Sequence, residues 1–142
     1  MASVRKGEPF SVRLNLTTDR AVEAEARRTK RAKGAVVEAL TEEAMKMRRF
    51  PGIAFRGDDA RRRPWVIGTG LDVWEIAQML EDFGAVEKLV RDTQLTQQQV
   101  RLAAAYRDAY PAEIDEAIAE NRRTAHELRE LYPFIEFSPS RR

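Results

Sequence analysis

Ser11, Arg13 and Asn15 are the residues of this chain whose types and spacing carry the clearest chemistry. A guanidinium bonds guanine O6 and N7 with both arms, a carboxamide pairs the same way with adenine, and a hydroxyl donates or accepts. They lie in the stretch Phe10-Ser11-Val12-Arg13-Leu14-Asn15-Leu16. Successive strand residues point to opposite sides, so the three polar groups share one face and Phe10, Val12, Leu14 and Leu16 the other. That alternation predicts a half-buried strand over 10–16. Two copies paired antiparallel form a ribbon narrow enough for the DNA major groove. Taken alone, the seven residues describe equally well an ordinary edge strand with a solvated polar face.

Catalytic and metal chemistry has little to work with. The 142 residues include no cysteine and one histidine, His126. Disulfides and thiolate sites are therefore excluded, and few metal or nucleophilic constellations can be assembled. His126 belongs to a polar helix face with Glu127 and Glu130. The carboxylate pairs Asp58-Asp59, Glu81-Asp82 and Asp115-Glu116 read as solvated helix or loop faces. Gly68-Thr69-Gly70 lacks the spacing and lysine of a phosphate loop and reads as a turn. Trp65 and Trp74 read as core. The expectation is a protein that is not an enzyme and needs no cofactor or metal.

Charge is uneven along the chain. Residues 1–63 carry 16 Lys and Arg against 9 Asp and Glu, and residues 64–142 carry 9 against 14, within a net charge of +2. A basic front half suits a polyanion, because phosphate neutralisation drives nucleic-acid affinity. Without cysteine, a secretory leader or an apolar run of about 18 residues, the expected location is cytoplasmic, with no membrane partner.

Residues 1–9 read as a flexible basic arm in which Arg5 and Lys6 are placed to touch phosphate. After the strand, Thr17-Thr18-Asp19 supplies cap types for a helix of about 18–31. A second helix over 34–49 carries Val36, Val37, Leu40, Ala44 and Met47 at spacings of three and four. Neither helix has enough apolar surface to fold alone, so a second copy is expected. Residues 50–63 form a connection, although Phe50, Ile53 and Phe55 argue against a free tether. Arg61–Arg63 either touch DNA backbone or merely solvate that connection. Further on, Asp72 is placed to cap a helix of 73–83 closed by Gly84, followed by helices of about 85–92 and 97–110. Thr96 and Gln99 give the latter a capping box. Pro111 restarts a long polar helix to about 132. The tail, 132–142, is extended and aromatic.

One strand and two helices in about 40 residues, with Arg13 and Asn15 on the outward face, resemble the ribbon-helix-helix DNA-binding family over residues 10–49. The resemblance implies an intermolecular antiparallel ribbon, base contacts from Ser11, Arg13 and Asn15, and a phosphate anchored where the second helix begins. Lys30, Lys33 and Gly34 lie nearest that turn. Family members often carry Gly followed by Ser or Thr there, where this chain has Lys30-Arg31-Ala32-Lys33-Gly34. Farther along, Gly68-Thr69-Gly70-Leu71-Asp72-Val73, then Gly84, Leu95-Thr96-Gln97-Gln98-Gln99-Val100 and an Ala-rich helix reaching Tyr106 resemble a small helical domain of bacterial antitoxins. That likeness spans about 64–121 and departs at Gly70, where Arg is common. It implies a helix-turn-helix-like bundle within 64–131 and, by association, a PIN-like ribonuclease toxin as partner.

The whole reads as mainly α: a ribbon-helix-helix module joined to a helical bundle and an extended tail. The expected function is a type II toxin–antitoxin antitoxin, a homodimeric transcription repressor that binds operator DNA and neutralises a toxin. Phe134, Ile135 and Phe137 cost roughly 2 kcal/mol each to leave in water, so they pack on their own domain or on a partner. In the antitoxin reading Tyr132, Phe134, Ile135, Phe137, Arg141 and Arg142 meet the toxin, the arginines reaching an acidic metal pocket. The alternatives are a stand-alone repressor of the same class and an adaptor in which the strand is only a dimer seam.

Overall fold

The computed structural model describes residues 5–59 and 61–134. It is mainly helical and has one small antiparallel sheet. The chain divides into two compact units, residues 1–42 and 43–142.

The first unit holds α1 (Leu16–Thr29) and the front of α2 (Lys33–Arg49). Residues 5–15 precede α1 without regular structure in the single chain. Asn15 is the N-cap: its backbone is extended and its Oδ1 accepts from the Thr18 N–H at 2.9 Å. This corrects the sequence reading, which gave Leu16 to the strand and the cap to Thr17–Asp19. Asn is among the strongest N-cap types, so the helix begins two residues sooner. Lys30 closes α1 at φ 54°, its N–H bonding the Ala26 and Arg27 carbonyls. The buried apolar side chains of this unit are Val22 and Val36.

The second unit starts inside α2. Phe50 and Ile53 join its core, and β1 (Ile53–Arg56) pairs antiparallel with β2 (Arg63–Val66), Ile53 opposite Val66 and Arg56 opposite Arg63. Residues 50–63, read as a connection from the sequence, are thus half of a hairpin seated on the core. The charge halves shift accordingly: residues 1–42 carry 9 Lys and Arg against 6 Asp and Glu, and residues 43–142 carry 16 against 17.

After β2 the Gly68-Thr69-Gly70 turn reverses the chain, both glycines at positive φ. The Thr69 hydroxyl donates to the Val66 carbonyl at 2.7 Å and accepts from the Leu71 N–H at 3.0 Å. Four helices follow: α3 (Val73–Phe83), α4 (Val86–Asp92), α5 (Gln97–Ala109) and α6 (Pro111–Leu131). Their boundaries follow the local chemistry. Gly84 ends α3 at φ 80°, and Thr96 and Gln99 exchange bonds at 3.0 and 3.2 Å to open α5. Pro111 starts α6 where its missing N–H is no loss. Val73, Ile76, Leu89, Val100, Ala103, Tyr106 and Ile114 fill the core. Among the described residues no helix is long and apolar enough to cross a membrane.

On the outside, one ion network ties three helices. Arg107 on α5 donates to Glu81 of α3 at 2.7 Å and to Asp115 of α6 at 2.8 Å, while Arg122 of α6 reaches Glu81 and Asp82. The bond from Arg107, aided by that from Arg122 and opposed by partial burial, lowers the Glu81 pKa. A depressed folded-state value stabilises the fold above the unfolded pKa, and that contribution is lost as pH falls through the folded value. Glu81→Gln should cost on the order of 1 kcal/mol or less at neutral pH. Its urea curve should converge on the wild type only once pH has fallen through the depressed Glu81 value, below the ordinary glutamate range, and a gap equally wide at strongly acid pH would contradict the network. Leu89→Ala, removing a fully buried side chain, should cost about 2–5 kcal/mol in the same assay.

Candidate nucleic-acid and partner interfaces

The first unit brings some of the expected groups together and commits others. Ser11 and Arg13 are exposed. Arg13 lines an open groove of about 550 Å³ with Val12, Leu14, Asp19, Lys33, Gly34 and Val37. Asn15 adjoins them in sequence, but its carboxamide oxygen is held by the α1 cap. The cap uses one of the two lone pairs of that oxygen and leaves both donors of the amide nitrogen.

The phosphate candidates differ among themselves. Gly34 lies in the first turn of α2, and a Cβ there would meet nothing within 4 Å. That turn contains no acidic side chain. The Lys33 ammonium, by contrast, bonds Asp19 and approaches Glu23 at 3.5 Å. The Asp19 bond leads in raising its pKa, so Lys33 is a cation already answered by carboxylates. Lys6 is likewise paired, with Glu38 at 2.5 Å. Arg5 and Lys30 are exposed.

In the second unit the arginines near the hairpin are structural. Asp72, 4% exposed, takes Arg56 Nε at 2.9 Å on one oxygen and Arg63 Nε at 2.6 Å on the other. Arg56 also donates to the Gly70 carbonyl at 3.0 Å and lies 4.9 Å over the Trp65 ring. Arg62 binds Glu43 at 2.8 Å and donates to two hairpin carbonyls. Of the two uses the sequence left open for Arg61–Arg63, this geometry occupies Arg62 and Arg63 in holding the hairpin. Gly70, where the antitoxin-type domain often has Arg, sits at φ 70°, a conformation that residues with a Cβ rarely adopt. The guanidiniums at this turn come from β1 and β2 instead.

At the far end, Tyr132 and Phe134 stack edge to face at 6.1 Å, with Phe134 79% exposed. Ile135, Phe137, Arg141 and Arg142 lie outside the described residues. The sequence missed the wider feature. Ile114, Ile118, Asn121, Ala125, Leu128 and Tyr132 recur at spacings of four and three along α6. Its first two members are buried, whereas Leu128 is exposed and Leu131 beside it is 70% exposed. The repeat was readable, but not where the body beneath it ends. His126 is exposed and lies 3.2 Å from Glu130, as its position on a polar face implied.

No family model matches the chain, and no curated protein or solved structure shows significant similarity to it.

The cap assignment yields a direct test. Asn15→Ala should destabilise the start of α1 by about 1 kcal/mol and speed exchange of the Thr18 amide, whereas Asn15→Ser should restore protection. Unchanged exchange in the alanine variant would contradict the cap.

Proposed function

We propose that the chain is a type II antitoxin whose first unit, paired with a second copy through residues 10–15, reads operator DNA. Its second unit and tail hold a toxin, of the PIN-like ribonuclease class by resemblance. The observation that carries this reading is a pair of large apolar side chains without a cover. Phe10 is 85% exposed and Val12 61%, in a segment whose alternation would set Ser11 and Arg13 on the opposite face of a strand. A second copy of the same segment covers the apolar side and leaves the polar side outward. The open first turn of α2 at Gly34 supports the phosphate anchor, since its N–H groups and the helix dipole favour an anion.

The partner half of the proposal is supported by α6. From Arg122 to Phe134 every residue but Ala125 is exposed, and isolated helices this short are marginal in water. Leu128, Leu131, Tyr132 and Phe134 together form an anchor of the kind that dominates protein interfaces. A repressor without a protein partner leaves that anchor in water.

Arg13→Ala should weaken binding to the duplex upstream of the chain's own coding start by about 1–3 kcal/mol and relax its sequence preference. Fluorescence anisotropy at two salt concentrations measures both. Weak binding that is equal on a scrambled duplex would remove the operator reading. Leu128→Asp with Leu131→Asp should abolish growth rescue on co-expression with a PIN-like ribonuclease from the same locus, and retained rescue would remove the α6 anchor.

A further inference from the structure

Two cations line the groove of the first unit, and they are not equivalent. Arg13, in the lead segment, has no hydrogen-bond or ion-pair partner among the described residues. Lys33, the first residue of α2, is engaged twice. Its ammonium bonds Asp19 in the first turn of α1 and lies 3.5 Å from Glu23, one turn farther along that helix. Asp19 lines the same groove as Arg13, Lys33 and Gly34. One lysine between two carboxylates leaves this trio with a negative charge in excess, beside the turn where a phosphate is proposed to dock.

Helix formation alone does not call for this pairing. Asp19 already suits the first turn of α1, where the helix dipole favours a carboxylate. Lys33 is a cation at the positive end of α2, the position the dipole disfavours. The first backbone bond of α2 runs from the Val36 N–H to the Ala32 carbonyl at 3.1 Å. The N–H groups of Lys33, Gly34 and Ala35 precede it and have no intrahelical acceptor. An anion at that turn therefore has amides and two cations near it, and one of the cations is already held by Asp19.

We propose that Asp19 is a specificity determinant of the first unit: it engages Lys33 and withholds that ammonium from the phosphate backbone of a duplex. This deepens the operator reading and rests on it. Attraction to phosphate is blind to sequence and supplies nearly all of non-specific binding. A free Lys33 strengthens binding to every duplex alike, and a repressor competes against a genome of wrong sites. With Lys33 held, the unengaged cation of the groove is Arg13, whose bidentate bond distinguishes guanine. Asp19 thus raises the share of binding that depends on sequence, and it acts through Lys33 without touching the duplex.

The test is anisotropy of the full chain over a salt series, on the duplex upstream of its coding start and on a scrambled duplex. It compares wild type, Asp19→Asn, Lys33→Gln and the double variant. Partly exposed ion pairs contribute little to stability, and circular dichroism checks that the helices are kept. Asp19→Asn should bind the scrambled duplex roughly 3- to 10-fold more tightly at low salt and steepen the slope of log affinity against log salt by about 0.9. Its preference for the upstream duplex should fall. In the Lys33→Gln background the same change should leave the slope unaltered, a dependence that a merely structural Asp19 does not produce. Selective wild-type binding with no change of slope or scrambled affinity in Asp19→Asn would overturn the proposal and leave the Arg13 reading intact. Equal steepening in the Lys33→Gln background would overturn action through Lys33. Binding gained by Asp19→Asn where the wild type shows no selectivity would support the withheld lysine and remove the operator reading. Binding by neither protein would overturn both.

Discussion

The first unit cannot close a hydrophobic core by itself, and its proposed role depends on that constraint. Two helices and an extended lead bury two valines, Val22 and Val36, while Phe10, Val12 and Leu16 stay in water at roughly 2 kcal/mol per large side chain. A single such unit falls below the size at which burial offsets chain entropy. In the proposed dimer, pairing two copies would resolve both problems, and the alternation that would bury Phe10 and Val12 would turn Ser11 and Arg13 outward. On that proposal, dimerisation and base reading would be two faces of one strand.

The second unit manages its own burial and solves a different problem, that of paired like charges. Arg56 and Arg63 stand directly opposite in the hairpin, a destabilising arrangement without a counterion. Asp72, at the start of α3, supplies it from the buried side. The same residue thereby fixes the hairpin to the helical core. With those cations neutralised, the basic surplus of residues 1–63 overstates what is free to meet a polyanion.

Much of this was readable from residue patterns. Gly84, the Thr96–Gln99 box and Pro111 mark helix ends because their chemistry is local, and the observed ends follow them. The spacing-of-two alternation over residues 10–16 predicts a strand, whereas in the single chain residues 10–15 have no regular structure, residues of both expected faces are exposed, and Asn15 is the cap of α1. Asn15 satisfies a strand's outward position and a helix cap equally well, and only the backbone decides. Residues 50–63 look like a connection because Pro51, Gly52 and Gly57 punctuate them. Their pairing with β2 is a tertiary fact with no local signature. Among the site residues, exposure was the missing quantity. Leu128 and Leu131 sit in a recognisable helix, and a repeat cannot say which of its members the rest of the chain covers.

The most direct test of the central claim is the concentration dependence of the mass in solution, by analytical ultracentrifugation of the full chain, wild type against Val12→Pro. Proline removes a backbone donor that strand pairing needs and sits in a segment without regular structure in the single chain. The account predicts a wild-type dimer of twice 16.3 kDa that dissociates on dilution, and a monomer for the variant. A wild-type monomer at every concentration, or a dimer indifferent to Val12→Pro, would contradict pairing through this strand.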